Sequence, residues 1–103
     1  MLLVIDIGNT NIVFGVYKGD TLVNHWRLST AIQKTADEYA ILLNSLLYFE
    51  KIKLGDIQSA IISCVVPPLL HAFQRVCSKY IDIEPIVVEP GIKTGMLILY
   101  ENP

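Results

Sequence analysis

Charge is scarce in this chain. Only 17% of its 103 residues are Asp, Glu, Lys or Arg, against 52% hydrophobic, a balance that excludes an intrinsically disordered chain. Eight Lys and Arg face ten Asp and Glu, for a formal net charge of -2, and no basic run occurs. Binding driven by neutralising nucleic-acid phosphates needs such a basic field, so no nucleic-acid partner is expected. Cysteine is scarcer still. Cys64 and Cys77 lie thirteen positions apart with no CxxC and no nearby His pair, which argues against a disulfide framework or a zinc site and for two buried thiols in a reducing cytosol. Two nucleotide signatures are missing as well: no GxxxxGK[ST], so no P-loop, and no GxGxxG after a strand. The apolar start Met1-Leu2-Leu3-Val4-Ile5 is stopped by Asp6 and has no basic flank. It therefore reads as neither a signal peptide nor a membrane span, and a cytoplasmic location with no membrane partner is expected.

What is present fits one domain, residues 1–103, at the commonest domain size. Leu2 to Ile7 is a short β-branched run suited to a strand buried on both faces, closed by Gly8-Asn9-Thr10. Ile12 to Tyr17 continues in the same style, so Gly8-Asn9 reads as a hairpin bend. After a turn at Lys18-Gly19-Asp20, Thr21 to Ser29 partly alternates apolar and polar residues, as an outer antiparallel strand does. Thr35-Ala36-Asp37-Glu38 has the form of a capping box. It predicts a helix from about Ala36 to Lys51 with Tyr39, Leu42, Leu43, Leu46, Leu47 and Phe49 at helical spacing. Ala60 to Val66 is a further strand ended by Pro67-Pro68. A second helix follows with an inner face of Leu70, Phe73, Val76, Cys77 and Tyr80, then a short strand from Pro85 to Val88. The order β-β-β-α-β-α-β predicts an α/β fold, a mixed five-stranded sheet with flanking helices. This is the layout of half of an actin-like ATPase and of a ribonuclease H-like domain.

The segment with chemical promise is Asp6-Ile7-Gly8-Asn9-Thr10-Asn11. A carboxylate at the end of a buried strand needs compensation. Gly8 offers freedom at positive φ and close approach to the main chain, and Asn9, Thr10 and Asn11 offer short hydrogen-bonding side chains. Asp6 could hold a metal ion beside bound phosphates. The same residues also make a good hairpin turn with no ligand at all. His25 and His71 have no paired ligand nearby in sequence. Trp26 and Phe73 suit a core, and Arg27 is an exposed strand residue able to reach an anion.

Taken in order, Asp6-Ile7-Gly8-Asn9-Thr10-Asn11, Trp26-Arg27-Leu28-Ser29-Thr30, Ser63-Cys64-Val65-Val66-Pro67, Thr94-Gly95 and Tyr100-Glu101-Asn102-Pro103 resemble the type III pantothenate kinases. These belong to the actin-like ATPase superfamily, and the family also includes Bvg accessory factor-like proteins. The resemblance runs over essentially the whole chain. It implies ATP-dependent phosphorylation of pantothenate, the first step toward coenzyme A, in the cytoplasm. It further implies ATP phosphates on Asp6, Ile7, Gly8, Asn9, Thr10, Asn11, Ile12 and Val13, Mg²⁺ at Asp6, pantothenate at Tyr100, a monovalent cation (K⁺ or NH₄⁺) and a homodimer of the full-length enzyme.

Family members are more than twice this length. Their proposed general-base Asp and a second phosphate motif fall beyond the equivalent of Pro103, so no catalytic residue is expected in this chain and residues 1–103 are expected to be an N-terminal lobe inactive alone. Residues 92–103 are expected to begin the segment between lobes. The alternatives are a regulatory or interaction domain of the Bvg accessory factor type, and a ribonuclease H-like nuclease. The second would need more carboxylates around two metals; Glu38 is the available one, and the fourth strand offers Ser63-Cys64 where another acid is required.

Overall fold

A computed structural model of the chain describes residues 1–90. The elements are β1 (Leu2–Ile7), β2 (Asn11–Lys18), β3 (Thr21–Ser29), α1 (Ala36–Phe49), β4 (Ser59–Cys64), α2 (Pro67–Val76) and β5 (Ile86–Val88). They build one five-stranded sheet in the order β3-β2-β1-β4-β5. The first three strands are an antiparallel meander, while β4 pairs parallel with β1 and β5 parallel with β4. The expected mixed sheet is what forms. Thr94-Gly95, the apolar run from Met96 and Tyr100 lie outside the described residues.

The sheet has two unlike faces, because successive side chains on a strand point to opposite sides. Leu3, Ile5, Ile7, Ile12, Phe14, Val16, Ala60 and Ile62 point into the larger core, where both helices pack. Phe73 of α2 meets Phe14 edge-on at 5.8 Å and Tyr39 of α1 at 4.7 Å between ring centroids. Such ring pairs add to the area they bury. The Tyr39 hydroxyl also donates to the Ala31 carbonyl at 2.7 Å and accepts from the Ala31 N–H at 3.0 Å. That pair of bonds fixes the connection between β3 and α1. The opposite face carries a small cluster of Val4, Val13 and Tyr17, flanked by Leu2, Leu22, Ile61 and Val88, with no helical residue in it.

Several boundaries and faces differ from the sequence expectation. The capping box on Thr35 forms as expected, but α1 ends at Phe49 because Lys51 turns left-handed at φ 58°. The Ile52 N–H then donates to the Leu47 carbonyl, and Ile52 itself is buried. Phe49 does not join the inner face; it is 80% exposed, being two residues and roughly 200° around the helix from buried Leu47. β4 stops at Cys64 because Val66 is already the N-cap before Pro67. On the second helix Leu69 is buried where Leu70 was expected to be, and Ile81 in place of Tyr80. A π-turn over Cys77–Ile81 widens the helical repeat and brings Ile81 round beneath Cys77. The displaced Tyr80 hydroxyl donates to Asp37, which Lys79 also approaches at 3.0 Å. Those two hydrogen bonds, Tyr80's first, hold the Asp37 carboxyl below its usual range. Trp26 is half-buried against the core, not inside it.

If the aromatic contact joins helices to sheet and the Tyr39 hydroxyl only fixes a loop, two variants should separate in denaturant melts. Phe73→Ala should cost about 3–5 kcal/mol, and Tyr39→Phe only about 1–2 kcal/mol. Equal losses would show that the loop bond matters as much as the core.

Candidate functional site

The site lies at the end of β1, on the face the helices leave uncovered. Asp6 pairs in register with Val13 on one side and Ser63 on the other, and Val13 pairs with Arg27. Paired residues project to the same side of a sheet, so Arg27, Val13, Asp6 and Ser63 form one row across four strands. A cavity of about 320 Å³ opens on that row, lined by Asp6, the hairpin residues Ile7 to Asn11, Val13 and Arg27, and by Ser63, Val65 and Pro90. Two wider hollows exist, about 640 Å³ around Gln74 to Pro85 and about 1000 Å³ around Asn44 to Lys53. Size does not decide between them. Only the smaller cavity combines a half-buried carboxylate, an arginine and a backbone turn rich in donors.

The hairpin bend is held from β3. The Thr30 hydroxyl donates to the Gly8 carbonyl at 2.7 Å, and the Thr30 N–H donates to the Thr10 carbonyl at 2.9 Å. The Gly8 N–H is used inside the bend, donating to the Asn11 carbonyl at 2.9 Å. The carbonyls are thus occupied, while the Asn9 and Thr10 N–H groups have no acceptor among the described residues. Consecutive free N–H groups in a tight turn form a concavity suited to an anion. Gly8 serves differently from the expectation: its φ is not positive. What favours glycine is space, since a Cβ there would crowd the Asn11 carbonyl oxygen at 3.1 Å.

Seven of the eight expected phosphate-site residues, Asp6, Ile7, Gly8, Asn9, Thr10, Asn11 and Val13, line this cavity. Ile12 does not; it is fully buried in the large core on the opposite face. Glu38, offered for a nuclease, is engaged in the capping box with Thr35 and lies outside the cavity. Among the described residues no three His, Cys, Asp or Glu gather as a metal cluster. A single carboxylate beside phosphate donors suits Mg²⁺, which commonly binds one or two carboxylates plus substrate phosphates. Cys64 sits next to the row, and burial above all raises its thiol pKa. Burial alone pushes Cys77 up to about 11. Both shifts disfavour the reactive thiolate. Ser63, Val65 and Thr30 fall within the motifs that carry the resemblance but were given no site role in the sequence, and Arg27 was read only as able to reach an anion.

The fold defines a class: an α/β, mixed five-stranded sheet of the actin-like ATPase fold, with a hairpin bend whose free N–H groups suit an anion. In the search of solved structures, a proposed N-acetylglucosamine kinase from Porphyromonas gingivalis superposes with a TM-score of 0.60 at 18% identity. The match covers 86% of this chain and 34% of that one. That likeness speaks for the fold. The sequence goes further, since the type III pantothenate kinase profile matches residues 2–103. The chain is 54% identical to the type III pantothenate kinase of Syntrophus aciditrophicus and 50% identical to that of Halalkalibacterium halodurans. In both cases all of this chain and 41% of the relative are covered. The chain belongs to the type III pantothenate kinase family, and it spans about two fifths of the length of these relatives. No helix among the described residues is long and apolar enough to cross a membrane.

If Thr30 shapes the bend, Thr30→Val should speed hydrogen exchange at Gly8 and cost about 1 kcal/mol, while Thr30→Ser keeps both bonds and stays near wild type. Unchanged Gly8 exchange in the valine variant would remove Thr30 from this role.

Proposed function

We propose that this chain supplies the phosphate-binding lobe of a pantothenate kinase, an enzyme moving the γ-phosphoryl group of ATP to the pantothenate hydroxyl. The observation that supports the reading most is the hairpin. Its Gly8 and Thr10 carbonyls accept from Thr30 and its Asn11 carbonyl from the Gly8 N–H, and its Asn9 and Thr10 N–H groups are left available beside Asp6. Phosphoryl transfer asks the protein mainly for positioning and charge stabilisation. Here the Asn9 and Thr10 N–H groups, with the side chains of Asn9, Thr10 and Asn11, would hold phosphate oxygens. Asp6 would hold Mg²⁺, which would supply charge neutralisation to bound phosphates. Tyr100 would contact pantothenate, as the resemblance implies. Proton removal from the acceptor hydroxyl falls to an Asp outside these 103 residues, so the lobe alone should bind nucleotide without turning over pantothenate. The monovalent cation, the dimer and the cytoplasmic location belong to the same reading.

The Asp6 carboxylate has no hydrogen-bond or ion-pair partner among the described residues. Asp6→Asn should therefore leave stability within about 0.5 kcal/mol while weakening Mg²⁺-dependent ATP binding about tenfold or more. Calorimetric titration with and without Mg²⁺ checks this. Equal affinities for the two proteins with Mg²⁺ present would contradict the assignment of Asp6.

A further inference from the structure

The row that contains Asp6 ends on Arg27, and the reason Arg27 is there is a fault in the sheet. The turn at Gly19-Asp20 starts β2 and β3 in the register Lys18↔Thr21 and Tyr17↔Leu22, but the next pair is Val16↔Asn24. Val23 is thus an extra, unpaired residue, a β-bulge. Without the bulge Val13 would stand opposite Trp26, and Arg27 would fall on the helix-covered face, since a one-residue slip exchanges the faces. With it, Trp26 and Leu28 pack against the large core and Arg27 lines the cavity. A bulge that re-aims one side chain beside a site is a common use of this defect.

Among the described residues, Arg27 is the only cationic side chain lining this cavity, as Asp6 is the only anionic one. Their strands are separated by β2, so their backbones stand about 9.5 Å apart, two strand spacings. Val13, nearly buried, forms the floor between them. The one ion pair among the described residues is Lys79 with Asp37, far along the chain, so Arg27 is not committed to a carboxylate there. Guanidinium is the side-chain group best matched to phosphoryl oxygens, offering two parallel donors in a rigid fork.

We infer that Arg27 is a phosphate-contacting residue, gripping the non-bridging oxygens of a nucleoside polyphosphate from the side of the cleft opposite Asp6. The inference rests on the phosphate-binding reading above and adds a cation to a site otherwise built from neutral donors and one carboxylate. The test uses the 103-residue chain, Mg²⁺-ATP as probe, and backbone amide shifts as readout. Wild type should shift at Gly8 to Asn11. Arg27→Gln should keep a folded spectrum and lose about tenfold in affinity, the effect of one charge-assisted hydrogen bond, while Arg27→Lys retains part of the binding. Hairpin shifts in all three proteins with affinities within fivefold would overturn the role of Arg27 and leave the hairpin standing. A wild-type chain whose hairpin amides do not respond at all would instead overturn the phosphate reading, and this inference with it. Should the glutamine variant unfold, Arg27→Lys decides alone, since it preserves charge and stem but not the fork: undiminished binding would then overturn the role.

Discussion

Asp6 sits on the most enclosed strand of the sheet. β1 is paired antiparallel to β2 on one side and parallel to β4 on the other, and Leu3, Val4, Ile5 and Ile7 around the carboxylate are all buried. A charge is tolerated there only because it comes at the strand end, on the face without helices, where the cavity admits solvent or a ligand. The rest of the arrangement follows from that placement. The bend after Ile7 is tight enough that a Cβ at position 8 would crowd the Asn11 carbonyl oxygen at 3.1 Å. β4 must end alongside, and the Val65 N–H donates to the Ile7 carbonyl at 3.0 Å to bring it there. The helices must cover the other face, which α1 and α2 do around Tyr39 and Phe73.

Much of this was readable from residue order. The β-branched runs, the capping box at Thr35 and the two prolines before α2 mark local preferences that the tertiary structure respects. The Asp6 to Asn11 segment announced itself because a carboxylate, a glycine and three short polar side chains follow a buried strand. The misplacements have specific causes. Tyr80 was assigned inward from an ideal helical repeat that a π-turn overrode, and Phe49 was grouped with the inner residues although two positions beyond Leu47 turn it outward. Ile12 was counted with the phosphate segment because it is adjacent in sequence, yet strand alternation sends it to the opposite face from Val13. Arg27 was read as an exposed strand residue able to reach an anion, and it is exposed beside the cavity; what the residues near Val23 do not advertise is the bulge that sets it in one row with Asp6.

The two sides of the cleft come from different kinds of interaction. Asp6 and the hairpin are placed by strand pairing in the centre of the sheet, whereas Arg27 depends on an edge strand whose register is set by one irregularity. Thr30, just past the end of that same strand, closes the hairpin through two hydrogen bonds. β3 is thus both the outer wall of the site and the clamp on its floor.

The claim at the centre of this account is that metal and phosphates meet at the end of β1. Mn²⁺, which shares the oxygen-ligand preference of Mg²⁺, makes that measurable through paramagnetic broadening of backbone amides in the presence of ATP. The account predicts that the signals of Asp6, Gly8, Asn9, Thr10 and Ser63 are lost first, with broadening fading along β1 toward Leu2. Broadening centred on the hollow between Gln74 and Pro85, with the hairpin amides left sharp, would contradict it.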